Sequence, residues 1–276
     1  MKPPWLKIKL PLNANYELVK KRLNAERLHT ICISGLCPNR IHCWENRHMT
    51  FMILGNICTR NCRFCAVSTG DPQGKIDDSE PQRIAKVVES LNLTYVVITS
   101  VTRDDLADGG AQVFAETVQT IKSKNKKVKV EVLVPDFSGD TSAIEKVIEA
   151  DCDVFAHNLE TVARLTPLVR DPKASYCRSL QVLKTARKIK PSLITKSGLM
   201  LGLGETDQEI KATIDDLFRA EVNILTIGQY LQPDKRCLPV KAYLKPEKFL
   251  EYKEYALKMG FNEVMSGPLV RSSYIQ

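Results

Sequence analysis

Six of the nine cysteines fall between Cys32 and Cys65, and they make two triads. The later triad, Cys58-Thr-Arg-Asn-Cys62-Arg-Phe-Cys65, has C-x3-C-x2-C spacing with an aromatic residue before its last cysteine. Three thiolates suffice to hold three irons of a [4Fe–4S] cube, leaving the fourth iron open to a small chelating molecule. A zinc ion would instead need a fourth ligand, and zinc sequences pair C-x2–4-C with a second pair well downstream, absent here. The earlier triad, Cys32-x4-Cys37-x5-Cys43, also lacks a fourth ligand. His42 or His48 would complete a zinc site there, and a second iron cube is the alternative. Cys152, Cys177 and Cys237 stand apart and read as small buried or half-buried side chains. An odd cysteine count without an export signal points to reduced thiols in a cytosol rather than a disulfide framework.

Something must hold the triads, and the chain offers a βα rhythm from about residue 51. β-rich runs occupy 50–57, 95–101, 128–134, 153–157, 193–201 and 222–229. Helical patterns cover 81–91, 110–122, 142–150, 175–189, 206–220 and 246–259. Pro81 and Pro246 suit a first helical turn, and Ser142-x-x-Glu145 and Thr206-x-x-Glu209 read as capping boxes. Strands alternating with helices of this length build a parallel sheet with helical crossovers. The expected fold is α/β, a partial TIM-type (β/α)6 barrel, with chemistry at the carboxyl ends of the strands. Three segments follow: 1–49 as an N-terminal extension carrying the earlier triad, 50–267 as the barrel, and 268–276 as a short tail.

The chain has 276 residues, 43% hydrophobic and 26% charged, enough for a full core and typical of a globular enzyme. Its longest uninterrupted apolar run is four residues, against roughly 18 for a membrane span. No secretory or transit segment opens it, so a cytoplasmic location is expected, with no membrane partner. The net charge of +8 is spread along helices without a nucleic-acid-binding signature, so no nucleic acid is expected. Gly202-Leu-Gly204 lacks the third glycine of a dinucleotide fingerprint and reads as a strand-end turn. Asn158 and Glu160 at the fourth strand's end, and Gln229 at the sixth's, read either as helix-capping or turn polar groups or as contacts to a cofactor bound at the strand ends. Arg103-Asp104-Asp105 reads either as an active-site loop or as a surface ion pair.

The Cys58–Cys65 spacing, placed after the first strand, resembles the signature of the radical SAM superfamily. S-adenosylmethionine there chelates the open iron, and one electron cleaves its S–C5′ bond to a 5′-deoxyadenosyl radical that abstracts hydrogen from unactivated carbon. With the earlier triad added, nearly the whole chain resembles the lipoyl synthase family. The resemblance runs through Thr50 to Gly55, Ile98-Thr-Ser-Val-Thr-Arg-Asp-Asp-Leu106, Asp108-Gly-Gly110, Glu131-Val-Leu-Val-Pro-Asp-Phe137 and His157-Asn-Leu-Glu-Thr161. It continues through 195–206 and 225–233 and closes on Ser266-Gly-Pro-Leu-Val-Arg-Ser-Ser-Tyr274.

The resemblance implies a sulfurtransferase with S-adenosylmethionine and two [4Fe–4S] clusters. Cys58, Cys62 and Cys65 would hold the cluster that binds S-adenosylmethionine. Cys32, Cys37, Cys43 and Ser273, with Ser272 as the alternative, would hold an auxiliary cluster that gives up sulfur. The implied substrate is an octanoyl chain on a lysine of an acidic lipoyl carrier domain, sulfur entering at C6 and C8. The rivals are another radical enzyme with an auxiliary cluster and a two-cluster electron carrier. The sequence departs from the family at Ile33-Ser34-Gly35-Leu36, where acidic residues are common, at Ala156, and at Cys237, where a histidine often stands.

Overall fold

The computed structural model describes residues 3–7 and 14–273; Tyr274 of the terminal motif, with parts of the 1–49 and 268–276 segments, lies outside the described residues. The chain packs as two compact units, one from residues 8–60 and 66–154, the other from 1–7, 61–65 and 155–276. Cys58 belongs to the first of these units, and Cys62 and Cys65 to the second.

In the first unit the extension forms α1 (Ala14–Ala25), α2 (Ile31–Ser34) and α3 (Arg40–Glu45). Val19, Leu23 and Trp44 are buried, and Trp44 stacks on Tyr16 with ring centroids 5.3 Å apart. Then come β1 (Thr50–Ile53), α4 (Glu80–Ser90), β2 (Tyr95–Ser100), α5 (Ala111–Lys124), β3 (Lys129–Leu133) and α6 (Thr141–Glu149). The three strands are parallel in the order β1-β2-β3, with Phe51 opposite Ile98 and Ile98 opposite Val132. Covered on both faces, they read as near-continuous apolar runs. A short parallel ladder pairs Ile57–Cys58 with Ser68–Thr69.

The second unit opens with β4 (Val154–Ala156) at its border. It continues through α7 (Thr166–Val169), α8 (Tyr176–Ile189), β5 (Ile194–Leu201), α9 (Asp207–Arg219), β6 (Ile224–Gln229), α10 (Pro246–Met259) and β7 (Glu263–Gly267). β5 pairs with β6 and β6 with β7, both parallel, and Glu160 just past β4 bridges to Leu199 in the same sense. The fold is the expected α/β repeat of a partial barrel, with no closed barrel among the described residues. A seventh strand, β7, extends the six read from sequence, and no helix among the described residues is long and apolar enough to cross a membrane. The Thr206–Glu209 capping box is present. The other is replaced: Asp140 caps α6 by accepting from the Ser142 N–H at 2.9 Å, two residues earlier than expected.

The first strand stops at Ile53, four residues short of the sequence reading, because Leu54 and Gly55 both adopt positive φ (67° and 86°). A left-handed leucine is strained and persists only where its surroundings hold it. Here the Leu54 N–H donates to Glu80 Oε2 at 2.8 Å and its carbonyl accepts from Arg103 Nη1 at 3.2 Å. Its side chain fills the space where a Cβ on Gly110 would collide with it, which is why Asp108-Gly-Gly110 ends in glycine.

Glu80 is 5% exposed, and burial pushes its carboxyl up to about 7 against the opposing pull of the Leu54 N–H. A folded value above the ordinary 4.5 means that the fold binds its proton more tightly than the unfolded chain does. Its contribution is thus fully present below about pH 4.5 and is lost as pH rises through about 7. Glu80→Gln keeps an acceptor for Leu54 and cannot ionise. Urea unfolding across that range should show the variant gaining on the order of 3 kcal/mol relative to the parent chain. Parallel pH profiles for the two proteins would show that Glu80 ionises normally.

Candidate active site

The loop from Cys58 to Cys65 is held at both ends by elements far away in sequence. In the first unit the Cys58 sulfur accepts the backbone N–H groups of Thr102, at 3.3 Å, and of Arg60, at 3.4 Å. Arg60, inside the triad, is 5% exposed. It donates to Asp104 through Nε and Nη2 at 3.0 and 2.8 Å, and again through Nη2 to Asp136 at 2.8 Å. Burial alone would lower the guanidinium pKa; the two carboxylates outweigh it and keep the charge in place. Arg103, with 0% exposure, forms a bidentate pair with Asp105 and donates to the carbonyls of Leu54 and Lys75. Arg103 is therefore a buried brace of strand-end loops, while Asp104 is half-buried and Asp105 exposed. Asp104 and Asp136 lie in the loops that follow β2 and β3, at the carboxyl ends of the strands where barrel chemistry sits.

In the second unit the Cys62 sulfur accepts the Asp171 N–H at 3.3 Å. Leu238 N–H donates to the Arg63 carbonyl at 2.8 Å, and the Cys237 thiol donates to the Cys65 carbonyl at 3.3 Å. Phe64 packs against the apolar core of that unit, which gives the aromatic residue before Cys65 an anchoring role. Cys237, expected to be filler, thus touches the cluster loop, and burial pushes its thiol pKa up. Arg60, Asp136, Asp171 and Leu238 were not singled out in the sequence. An arginine enclosed by a cysteine triad was the one visible hint.

The earlier triad lies on a helix–turn–helix. Thr30 caps α2 by accepting the Ile33 N–H, and Leu36, with φ 50°, turns the chain. The Cys37 N–H donates to the Cys32 carbonyl at 3.2 Å and the Cys43 N–H to the Asn39 carbonyl at 2.9 Å. Ile33 and Leu36, in the stretch that departs from the family pattern, are exposed. Cys32 is buried, which pushes its thiol pKa up; hydrogen bonds from the Thr50 backbone and the Trp44 side chain oppose this, while the Cys37 charge adds to it. The Trp44 Nε1–H is buried without an oxygen or nitrogen partner, consistent with service to sulfur. His48 is lowered by burial and then by the charge of His42.

None of the nine cysteines, all of them among the described residues, is joined in a disulfide. Among the described residues no three Cys, His, Asp or Glu side chains are already gathered as around a bound ion. The donor set nevertheless fits iron–sulfur cubes: N–H groups aimed at Cys58 and Cys62, and an indole beside Cys32, stabilise thiolate ligands.

Asn158 is buried; its amide donates to Glu160 Oε1 at 3.0 Å while its Oδ1 has no partner. Glu160 has φ 69°; burial pushes its carboxyl pKa up, and Asn158 and Arg170 oppose the rise. The Ser197 hydroxyl nearby in sequence to Gly198 is likewise buried and unpartnered. A Cβ on Gly198 would lie 2.9 Å from Asn158 Oδ1 and 3.2 Å from Ser272 Cβ, so glycine lets these groups approach. An orphaned amide oxygen beside a half-buried carboxyl suits the ribose or methionyl part of S-adenosylmethionine. Gln229 differs. Its Nε2 donates to the carbonyls of Leu201, Tyr230 and Ala242, and its Oε1 accepts from Leu244 N–H, so its amide is consumed within the fold. It positions the turn at Gly202, where any Cβ would strike that amide and the Ala242 carbonyl. The tail is seated in the same unit: Val270 occupies the space a Gly228 side chain would need, and Arg271 Nη1 donates to the Gln229 carbonyl at 3.3 Å. Ser272 and Ser273 are half-buried there.

This fold and triad define a radical SAM protein, and the Radical SAM superfamily model matches residues 52–217. Among solved structures, methylornithine synthase is similar in fold, with TM-score 0.59 at 14% identity, over 93% of this chain and 79% of that one. The chain belongs to the lipoyl synthase family. It is 52% identical over 273 residues to lipoyl synthase of Thermus thermophilus, covering 99% of this chain and 84% of that protein. It is 53% identical over 274 residues to lipoyl synthase of Caldicellulosiruptor saccharolyticus, covering 99% and 95%.

A methyl group at residue 228 cannot coexist with Val270 in its present place. Gly228→Ala should free the tail, and limited proteolysis should then clip the chain near residue 270 much faster, with the rest of the fold intact. Unchanged cleavage would show that the tail is not seated by this glycine.

Proposed function

We propose that this chain inserts two sulfur atoms, at C6 and C8, into an octanoyl chain amide-linked to a lysine of a lipoyl carrier domain. Its cofactors are S-adenosylmethionine and two [4Fe–4S] clusters. Cys58, Cys62 and Cys65 hold the first cluster, and Cys32, Cys37 and Cys43 hold the auxiliary one, closed by Ser273 or by its neighbour Ser272. The observation that carries the reading is the pair of cysteine triads, one with N–H donors on its sulfurs and the other beside a buried indole, in a chain of this family. When bound, these groups supply one-electron cleavage of S-adenosylmethionine and a store of sulfide.

The protein's own residues do the positioning. Arg60, Asp104 and Asp136 fix the amino half of the Cys58–Cys65 loop, and Asn158 offers its free oxygen to the cofactor. Glu160, its carboxyl raised by burial, lies beside Asn158 as a second polar contact. A serine alkoxide is a harder ligand than thiolate, which suits an iron that must be released when sulfur leaves. The net charge of +8 favours an acidic carrier domain as partner, and the reduced thiols favour a cytoplasmic setting.

Mutation should separate the triads. Anaerobic reconstitution should give about eight irons per chain, falling to about four in either Cys62→Ala or Cys37→Ala. Cys62→Ala should form no 5′-deoxyadenosine. Cys37→Ala should still form it, with no lipoyl product detected by mass spectrometry of an octanoyl-lysine peptide. Normal product from Cys37→Ala would remove the auxiliary cluster as the sulfur source.

The serine ligand is tested by Ser272→Ala and Ser273→Ala on the same peptide. Ser273→Ala should abolish sulfur insertion while 5′-deoxyadenosine formation persists, and Ser273→Cys should retain the cluster and slow sulfur release. Loss of product from Ser272→Ala alone would move the ligand to residue 272. Full product from both single variants and from the double variant would end the serine assignment.

A further inference from the structure

Residues 169–171 lie alongside the second half of the cysteine loop like a short strand. The Arg63 N–H donates to the Val169 carbonyl at 2.9 Å, the Asn61 N–H to Asp171 Oδ2 at 2.8 Å, and the Asp171 N–H to the Cys62 sulfur at 3.3 Å. Three consecutive loop residues, 61 to 63, are thus held by one segment. The segment is itself anchored. The Arg170 N–H donates to the Thr166 carbonyl at 2.9 Å, and its buried guanidinium donates to Ser179 Oγ on α8 at 2.7 Å. The other carboxylate oxygen of Asp171 accepts the Lys173 N–H at 2.9 Å, and its carbonyl accepts the Ala174 N–H at 2.8 Å.

We propose that Asp171 is a positioning residue for the S-adenosylmethionine-binding cluster, fixing the Cys62 thiolate and setting how readily that cluster accepts an electron. One oxygen holds its own turn, the other holds Asn61, and its N–H is thereby kept on the sulfur between them. An N–H···S bond stabilises negative charge on the ligand, so it favours the reduced cluster and raises its potential. The side chain does not supply that N–H; it keeps the donor and the sulfur at bonding distance. Loosening the Asn61 contact lets them separate. Asp171 therefore acts through Cys62 and is not itself a ligand.

This rests on the assignment of Cys62 to the first cluster. Two readouts keep the two ideas apart. In the cluster-free chain, hydrogen exchange of the Asn61 amide should be accelerated on the order of tenfold by Asp171→Ala. Asp171→Asn, which retains one carbonyl oxygen, should fall between the two. In the reconstituted holoenzyme, redox titration followed by EPR with S-adenosylmethionine should place the cluster of Asp171→Ala at a lower potential, with altered g-values. Its iron content and thermal midpoint should match the parent. Asp171→Asn serves the same measurements if the alanine variant does not fold. A parental potential, parental EPR spectrum and parental Asn61 exchange in the variants would overturn the proposal. Full iron content in Cys62→Ala would instead strike the cluster assignment, while the Asn61 exchange rate would still report on the clamp.

Discussion

A loop that must aim three sulfurs at one small object cannot also satisfy its own backbone. The segment from Cys58 to Cys65 makes internal bonds from the Cys65 N–H to the Cys62 carbonyl and from the Arg60 N–H to the Cys58 sulfur, and many of its other partners come from distant chain. Thr102, Asp171, Val169 and Leu238 meet its backbone or sulfur atoms, and Asp104 and Asp136 meet the one arginine it contains. Buried backbone groups left without partners are costly, so the conformation of the triad depends on strand-end loops being where they are. The strands hold those loops, and the helices hold the strands. The barrel is, in this sense, the scaffold for an eight-residue segment.

Charge is used in the same service. Arg60 and Arg103 are buried; Arg60 is matched by Asp104 and Asp136 on two strand-end loops, and Arg103 by Asp105. Buried ion pairs add little net stability over apolar packing, yet removing one partner costs about 3–5 kcal/mol because the other is stranded. Their value here is geometric. A guanidinium with several donors fixes direction as well as distance, and Arg60 ties the cysteine loop to two loops at once. Arg103 does the same for the exit of the first strand.

Much of this could be read from residue order. The βα rhythm located six strands and six helices because apolar runs and 3.6-residue periodicity are local signals. β7 escaped because its apolar content is Val264 and Met265 alone, within a strand of five residues. The spacing of the later triad pointed to an iron cube, whereas that of the earlier triad left zinc open, and only the family resemblance read a second cluster there. Capping was half legible: Thr206–Glu209 formed as expected, whereas at α6 Asp140 competed successfully with Ser142 for the same role. The residues that hold the loop were illegible for a physical reason. Asp171 acts on Cys62 across 109 positions, and Arg60 reaches Asp136 across 76. No periodicity encodes such pairs. Gln229 shows that a polar residue at a strand end can serve the fold's own backbone as well as a ligand.

Leu54 has a bearing on how the first unit comes together. Its backbone is held by Glu80, 26 residues away, and by Arg103, 49 residues away. Closing the longer of these loops costs only about 0.6 kcal/mol more than the shorter, so neither contact has a compelling head start. A left-handed leucine gains nothing until both arrive, and its strain opposes the half-assembled state. In kinetic terms, the mouth of the first strand is a late-closing joint. The chain leading to Cys58 is pinned at this point only when two remote segments, those of Glu80 and Arg103, converge on one residue.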